Sequence, residues 1–191
     1  APVFESISLK EGPAGLAAVI HQRWASLENV RPDPQSTWVA LDSVADPGNL
    51  GTILRTHDAV GGVGVILLDH STDPYDPTSI RASMGAVFTQ TLVRASFEAF
   101  AEWNQRHRAH LVGTSDKAAA DYAAYHYPPD LVSLMGSECQ GLQERHLLLC
   151  DEVVAIPMRG SSDSLNLAVA TGVVLYEVHN QRRSIGRRGE G

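Results

Sequence analysis

Six short runs of apolar, often β-branched residues recur along the chain. They are TWVALD, VGVILLD, TLVRA, AHLVGT, LVSLMG and EVVAIP, at 37–42, 63–69, 91–95, 109–114, 131–136 and 152–157. Runs of this length and composition are typical of buried strands. Segments with helical periodicity lie between them, and we predict helices at 49–60, 97–108, 118–125, 142–149 and 164–180.

The alternation of strands and helices predicts an α/β fold, with a mostly parallel sheet flanked by helices on both faces. Ligands of such sheets bind beyond the carboxyl ends of the strands. The N-terminal part differs, since 12–27 has the pattern of a helix and the prolines of ENVRPDPQS indicate a linker. We therefore predict an N-terminal helix and linker at 1–36, a main domain at 37–180 and a basic, solvated, frayed tail at 181–191.

Length and composition are those of one globular domain: 191 residues, 43% hydrophobic and 19% charged. The net charge of −7 disfavours a broad nucleic-acid surface, although the last eleven residues carry four arginines against one glutamate. Neither a signal peptide nor a run of eighteen apolar residues is present, so we expect a cytoplasmic protein with no membrane association. Cys139 and Cys150 are too sparse for a disulfide framework or a four-cysteine zinc site, and no metal is expected.

Two nucleotide-binding patterns are excluded by their context. The glycine cluster GGVGVILL at Gly61 runs into a strand, whereas a dinucleotide fingerprint needs a strand before it and a helix after it. Neither Lys10 nor Lys117 follows a glycine-rich turn with Ser or Thr after it, so a phosphate loop is absent. The sequence therefore does not favour a dehydrogenase or a nucleoside triphosphatase.

Three polar loops, each after a predicted strand, remain as candidates for chemistry: DPGNLGTILRT at 46–56, GSECQGL at 136–142 and IPMRGSSDSLNLAVA at 156–170. Singly, each has a structural explanation. Asn49 and Ser164 are good N-cap residues, Asn166 can bond its own backbone, and Glu138 can be an ordinary loop carboxylate.

Taken in order, the three loops resemble the three sequence motifs of the SpoU (TrmH-like) branch of the SPOUT RNA methyltransferases. The resemblance covers about 38–180, most of the chain. It implies S-adenosyl-L-methionine-dependent methylation of a ribose 2′-hydroxyl in RNA. It also implies a C-terminal trefoil knot, which general topology rules disfavour, and a homodimer.

The resemblance carries over to individual residues. It implies a polar catalytic site made of Asn49, Arg55, Glu138, Ser164 and Asn166. It implies that the cofactor contacts Gly136, Ile156, Met158 and Leu165, with Thr114 as a further candidate. The family's proposed mechanism makes Arg55 the base. A guanidinium has a pKa above about 12, so a phosphate clamp that stabilises the developing alkoxide is the alternative role.

Two departures from the family pattern stand near these residues. His57 and Asp58 follow Arg55 where many relatives have a small residue, and we expect Asp58 to pair with Arg55. Cys139 follows Glu138 where a glycine is common, and we expect it to restrict the backbone there.

The resemblance favours ribosomal RNA over transfer RNA as substrate, and antibiotic self-resistance is compatible with it. The stretch SLKEGPAGLAAVIHQRWASL is similar to the segment that follows a separate RNA-binding domain in relatives, so the chain, which begins at Ala1, is expected to be a catalytic fragment. Two alternatives stay open. One is a transfer RNA 2′-O-methyltransferase of the same family, and the other is a catalytically silent RNA- or ribosome-binding module.

Overall fold

The structure, a computed structural model, describes residues 6, 18–33 and 36–188, with the side chains of 185–188 left aside. Its strands are β1 (Trp38–Asp42), β2 (Gly64–Leu68), β3 (Thr91–Ala95), β4 (His110–Thr114), β5 (Ala120–Asp121), β6 (Leu131–Met135) and β7 (Glu152–Ala155). Its helices are α1 (Pro47–Ala59), α2 (Pro77–Ser83), α3 (Phe97–His107), α4 (Glu144–Leu147) and α5 (Leu167–Arg188). Short 3₁₀ turns lie at Leu27–Asn29 and Ala86–Phe88.

The strands form one sheet in the order β3-β2-β1-β6-β4-β7-β5, and every pair is parallel. The strand order reverses at β1, where Val39 pairs with Val65 of β2 on one side and Ser133 of β6 on the other. A reversal of this kind opens a crevice beyond the carboxyl ends of the two strands, and ligands of parallel sheets bind there. The loops after β1 and β6 therefore lie side by side at the expected position for a site.

Helices cover both faces of the sheet, which explains why the strands are apolar without alternation. Val39 and Leu41 of β1 face α1, α2 and α5, and Ala40 faces α3. The first face packs Leu50, Ile53, Leu54, Val65, Leu67 and Leu175. The second packs Ile66, Val93, Phe100, Trp103, Leu111 and Leu134.

The predicted mostly parallel α/β architecture is confirmed. All six predicted strands are present within two residues of their predicted ends, and four of the five predicted helices correspond to α1, α3, α4 and α5. The predicted helix at 118–125 is wrong, because Ala120–Asp121 instead pairs with Val154 and Ala155 of β7 as an edge strand. Pairing with β7 outweighs the helix propensity of the alanines in this segment.

The predicted N-terminal helix is wrong over residues 18–26, which have no helical turn; residues 12–17 lie outside the described part of the chain. The segment runs along the sheet edge instead. The Ala25 N–H donates to the Leu92 carbonyl oxygen at 2.8 Å, and Trp24 stacks under Arg94, whose guanidinium carbon lies 4.3 Å from the ring centroid. Contacts with β3 thus replace the local hydrogen bonds of a helix.

The last helix begins three residues later than predicted and continues to Arg188 instead of ending near residue 180. The expected frayed tail is also wrong at its start. Arg182 donates to Thr37 Oγ1 at 2.6 Å and to the Pro129 carbonyl oxygen at 2.8 Å, and Gln181 Nε2 donates to the Tyr125 carbonyl oxygen at 2.8 Å. These bonds fix the helix to the amino ends of the strands. The trefoil knot stays a prediction.

Candidate active site

The first candidate loop enters α1 through an aspartate cap. Asp46 Oδ1 accepts hydrogen bonds from the Gly48 and Asn49 N–H groups at 2.6 and 3.1 Å, and Pro47 occupies the first helical position. Asn49 is therefore not the cap, contrary to the structural explanation considered for it. Its side chain is left available on the first turn of the helix.

Glu138 crosses from the loop after β6 to the turn between β1 and α1. Its Oε2 accepts from the Ala45 N–H at 3.1 Å, and its Oε1 accepts from the Asp46 N–H and from Asn49 Nδ2, both at 3.3 Å. One carboxylate thus satisfies backbone donors just before the helix and orients the Asn49 amide. Glu138 is therefore not an ordinary solvated loop carboxylate, because it joins two loops.

Asn166 joins the third loop to the same group. Its Oδ1 caps α5 by accepting from the Ala168 and Val169 N–H groups at 2.9 and 3.3 Å. Its Nδ2 donates to Asn49 Oδ1 at 2.9 Å. A continuous chain of hydrogen bonds, Glu138 to Asn49 to Asn166, therefore connects all three loops, and we refer to these three residues as the polar triad.

The electrostatics of the polar triad favour an ionised Glu138. Partial burial raises the pKa of this carboxyl group, but hydrogen bonds from Ala45, Asn49 and Asp46 to the charged form outweigh burial, and the pKa lies below its ordinary value. The carboxylate is therefore charged at neutral pH, as an acceptor of three N–H bonds should be.

We predict that Glu138→Gln removes an acid-sensitive contribution to stability. A carboxyl group whose pKa is lowered on folding stabilises the fold above its unfolded pKa, about 4.3 for glutamate, and loses that effect as the pH falls through the lower folded value. Because Glu138 is largely exposed, the effect at pH 7 should be about 1 kcal/mol or less. Urea unfolding of both proteins from pH 7 downward should show their difference shrinking below about pH 4.3. A constant difference would contradict the assignment.

Arg55 and Ser164 stand apart from the polar triad. Arg55 is exposed on α1, about 9 Å along the helix axis from Asn49. Ser164 is exposed and does not cap α5, because Asn166 does so. Among the described residues, neither side chain has a hydrogen bond or an ion pair. The structure thus brings three of the five predicted catalytic residues together and leaves the guanidinium and the hydroxyl free for a ligand.

The expected pairing of Asp58 with Arg55 is wrong. Asp58 Oδ1 instead accepts from Thr89 Oγ1 at 2.7 Å and from Gln90 Nε2 at 3.2 Å. His57 is fully buried beside them, with Nδ1 2.7 Å from Gln90 Oε1. These two departures from the family pattern therefore anchor the C-terminal end of α1 and do not compete for Arg55.

The conformation of the loop after β6 requires glycine at position 136 and places no restriction on Cys139. A Cβ at buried Gly136 would overlap the backbone of Gly141 and Leu142, so the loop closes on itself only with glycine there. The one positive φ in this loop belongs to Gly141, at 60°. Cys139 therefore occupies a backbone conformation open to any residue, and the restriction expected from it is wrong.

A cavity of about 640 Å³ lies beyond the carboxyl ends of β4, β5 and β7. Two predicted cofactor residues, Ile156 and Met158, line it. Three carboxylates that sequence reasoning missed, Asp116, Asp121 and Asp163, line it as well. Asp116 and Asp163 follow predicted strands, which was the available signal, whereas Asp121 ends β5, where a helix was predicted. The predicted residues Thr114, Gly136 and Leu165 are not among its lining residues.

Comparison with known proteins gives one family. The model of the SpoU rRNA Methylase family matches residues 36–176. The chain is 36% identical over 180 residues to the 23S rRNA (uridine(2479)-2′-O)-methyltransferase of Streptomyces viridochromogenes, covering 91% of this chain and 63% of that protein. It is 36% identical over 146 residues to the 23S rRNA (guanosine-2′-O-)-methyltransferase RlmB of Haemophilus influenzae, covering 75% of this chain and 59% of that protein.

Among solved structures, the AdoMet-bound rRNA methyltransferase from Sinorhizobium meliloti superposes with a TM-score of 0.81 at 41% identity. The match covers 83% of this chain and 61% of that one. The chain therefore spans about three fifths of the length of these relatives.

Proposed function

The chain belongs to the SpoU rRNA methylase family, and from this premise we propose that it catalyses methyl transfer to a ribose 2′-hydroxyl of RNA. The observation that carries the proposal is the polar triad, in which one chain of hydrogen bonds joins the loops after β1, β6 and β7. These are the three loops that resemble the family motifs. Exposed Arg55 extends from the first of them and is available for an RNA phosphate.

S-adenosylmethionine, when bound, supplies a sulfonium methyl group that is already electrophilic. The protein then has to orient the ribose hydroxyl and assist the loss of its proton. Asn49 and Asn166 present amide groups of fixed direction to the ribose, since Glu138 and the first turn of α5 hold them. Arg55 binds the phosphate and stabilises the developing alkoxide as a permanently charged guanidinium, and the hydroxyl proton leaves to water.

The residues present fit this cofactor. The cavity beyond β4, β5 and β7 has a volume suited to a ligand of this size, and its three carboxylates complement the net positive charge of a ligand whose sulfonium and ammonium groups outnumber its one carboxylate. Thr114 Oγ1, at the end of β4, is buried and has no hydrogen-bond partner among the described residues. Ile156, Met158 and Thr114 would hold the cofactor, with Gly136 and Leu165 on the side of the polar triad.

We propose 23S ribosomal RNA as the substrate, in preference to transfer RNA. The names of the two curated relatives described above support ribosomal RNA, although one is specific for uridine and the other for guanosine. A cytoplasmic location accords with that substrate. No helix within the described residues is long and apolar enough to cross a bilayer.

We further propose that two copies of the chain associate through α1 and α5. Thr52 and Thr56 of α1 and Val169, Val173 and Tyr176 of α5 line an apolar groove of about 450 Å³. Val169 and Tyr176 are 52% and 49% exposed, which is a large exposure for apolar side chains on one helix face. A second copy would cover this groove.

Calorimetric titration with S-adenosylmethionine tests the proposal against a catalytically silent module. We expect micromolar affinity, that is, about −8 kcal/mol of binding free energy. Leu165→Arg should abolish binding, because it adds a charge beside a cationic ligand. Nuclease mapping of 2′-O-methylation on 23S ribosomal RNA and on transfer RNA then identifies the substrate. Folded protein that binds no cofactor in the presence of RNA would favour the silent module.

A further inference from the structure

Arg145, in the short helix α4, binds carboxylates at the ends of two strands. Its Nη2 lies 2.9 Å from Asp69 Oδ2 and 3.4 Å from Asp42 Oδ1. Its guanidinium carbon lies 4.5 Å from the ring centroid of Phe97, whose N–H donates to Asp69 Oδ1 at 2.8 Å. Asp42 ends β1, Asp69 follows β2, and Phe97 begins the helix after β3. One guanidinium thus connects the ends of three strands.

His146, the next residue of α4, also contacts Asp42 and Phe97. Its ring is fully buried and lies edge-on to Phe97 with centroids 4.8 Å apart. Its Nδ1 accepts from the Gln143 N–H at 2.9 Å, so the ring proton is on Nε2. Nε2 lies 3.3 Å from Asp42 Oδ2 without forming a hydrogen bond, and the contact is electrostatic. Asp42 is therefore held between two side chains of α4.

These contacts bear on the loop that carries Glu138. The loop 136–142 connects β6 to α4, so β6 holds one end of it and Arg145 with His146 holds the other. Ala45, whose N–H donates to Glu138, is only three residues after Asp42, which contacts Arg145. The turn between β1 and α1 thus meets the loop through Glu138 and meets α4 through Asp42.

We propose that Arg145 is a positioning residue for methyl transfer: by binding Asp42 and Asp69 it holds the 136–142 loop so that Glu138 keeps Asn49 directed toward Asn166. The inference rests on the proposed function, because it assigns Arg145 a part in that reaction. Arg145 does not touch the polar triad itself. It acts on the reaction through the position of Glu138.

The chemistry of the cluster favours arginine. The side chain of Asp42 is 4% exposed, and a buried carboxylate that loses its partner is costly, so the chain should shift to rehydrate it. A guanidinium reaches two carboxylates and stacks on an aromatic ring at once, whereas an ammonium is a point charge that cannot do all three. Arg145→Lys should therefore restore part of what Arg145→Ala loses.

A double-mutant cycle between Arg145→Ala and Glu138→Gln tests the inference kinetically. We expect Arg145→Ala to lower kcat about tenfold and to change KM for S-adenosylmethionine less than about twofold, since misplacement affects the transition state more than cofactor binding. The double variant should be about as slow as Glu138→Gln alone. Arg106→Ala, which breaks a surface ion pair with Glu28 of 2.6 Å, is the matched control and should leave kcat unchanged. If the rate losses of the two single variants multiply in the double variant, the two residues act independently and the inference is overturned.

Hydrogen exchange at the Ala45 and Asp46 amides provides a readout that needs no activity. Both donate to Glu138, so both should exchange faster in Arg145→Ala and at the wild-type rate in Arg106→Ala. If the wild-type protein transfers no methyl group but exchange is faster in Arg145→Ala, the proposed function is refuted, while the inference that Arg145 holds the 136–142 loop stands. Unchanged exchange in Arg145→Ala would refute that inference. Arg145→Lys, with an intermediate rate expected, serves for both measurements if the alanine variant does not fold.

Discussion

Arg55→Ala is expected to lower kcat/KM for RNA methylation by about a thousandfold, which corresponds to about 4 kcal/mol of lost transition-state stabilisation. The side chain is exposed and makes no bond to any described residue, so its removal should not disturb the fold. Alanine also has the higher helix propensity. Affinity for S-adenosylmethionine, measured by calorimetry, should therefore stay at the wild-type value while single-turnover methylation is lost.

Two further variants make that result specific. Arg81→Ala removes another exposed arginine, from the neighbouring helix α2, and should change the rate less than about twofold because it lies outside the proposed site. Arg55→Lys keeps the charge but loses the planar fork that binds a phosphate through two bonds. If Arg55 acts by binding the phosphate, this variant should methylate RNA at a rate between those of the wild type and Arg55→Ala. A wild-type rate in Arg55→Ala would refute the site assignment. Equal loss of cofactor affinity would indicate a structural role for Arg55.

Gly136→Ala is expected to lower the affinity for S-adenosylmethionine by about a hundredfold, equivalent to about 3 kcal/mol. The added methyl group would occupy the space of the Gly141 carbonyl group and the Leu142 nitrogen, and backbone atoms cannot move aside as a flexible side chain can. The loop must open, which displaces Glu138 as well. Calorimetry measures the affinity, and thermal unfolding reports whether the fold persists.

Gly160→Ala is the matched control for this substitution. Gly160 lines the cavity proposed for the cofactor, and a methyl group added there would meet no heavy atom of the described residues within 4 Å. Alanine should therefore leave the midpoint of thermal unfolding unchanged, so that any loss of affinity at this position reports a direct contact with the ligand. Equal effects at the two glycines would mean that the methyl group acts on the ligand and not on the loop. Wild-type affinity in Gly136→Ala would refute the requirement for glycine at this position.

The resemblance of the three polar loops to the family motifs implied Asn49, Glu138 and Asn166 as site residues, together with Arg55 and Ser164, and strand ends in a parallel sheet meet at one edge. The bonds among them were not readable from the sequence. Helix-cap preferences favoured Asn49 and Ser164, but Asp46 and Asn166 cap the two helices. Asp, Asn and Ser have similar cap preferences, so the choice among neighbours depends on where the chain arrives from the sheet.

The positions of Arg145 and Arg182 were beyond sequence reasoning for a different reason. Arg145 lies 103 residues from Asp42, and Arg182 lies 145 residues from Thr37. Neither arginine belongs to a periodic pattern or a motif, and a charged residue is ordinarily a solvated one. Only the strand order brings such distant segments together.

Apolar periodicity, which is a local property of the chain, was sufficient to predict six strands, four of the helices and the parallel sheet, and the resemblance of the three ordered motifs implied the family. Contacts between distant segments were needed to establish which groups Glu138 binds and where the helix caps fall. They also explain why residues 120–121 form a strand and why 18–26 do not form a helix. The hydrogen bonds that join distant segments contribute about 1 kcal/mol each, which is comparable to local propensities, and a few of them together therefore override those propensities.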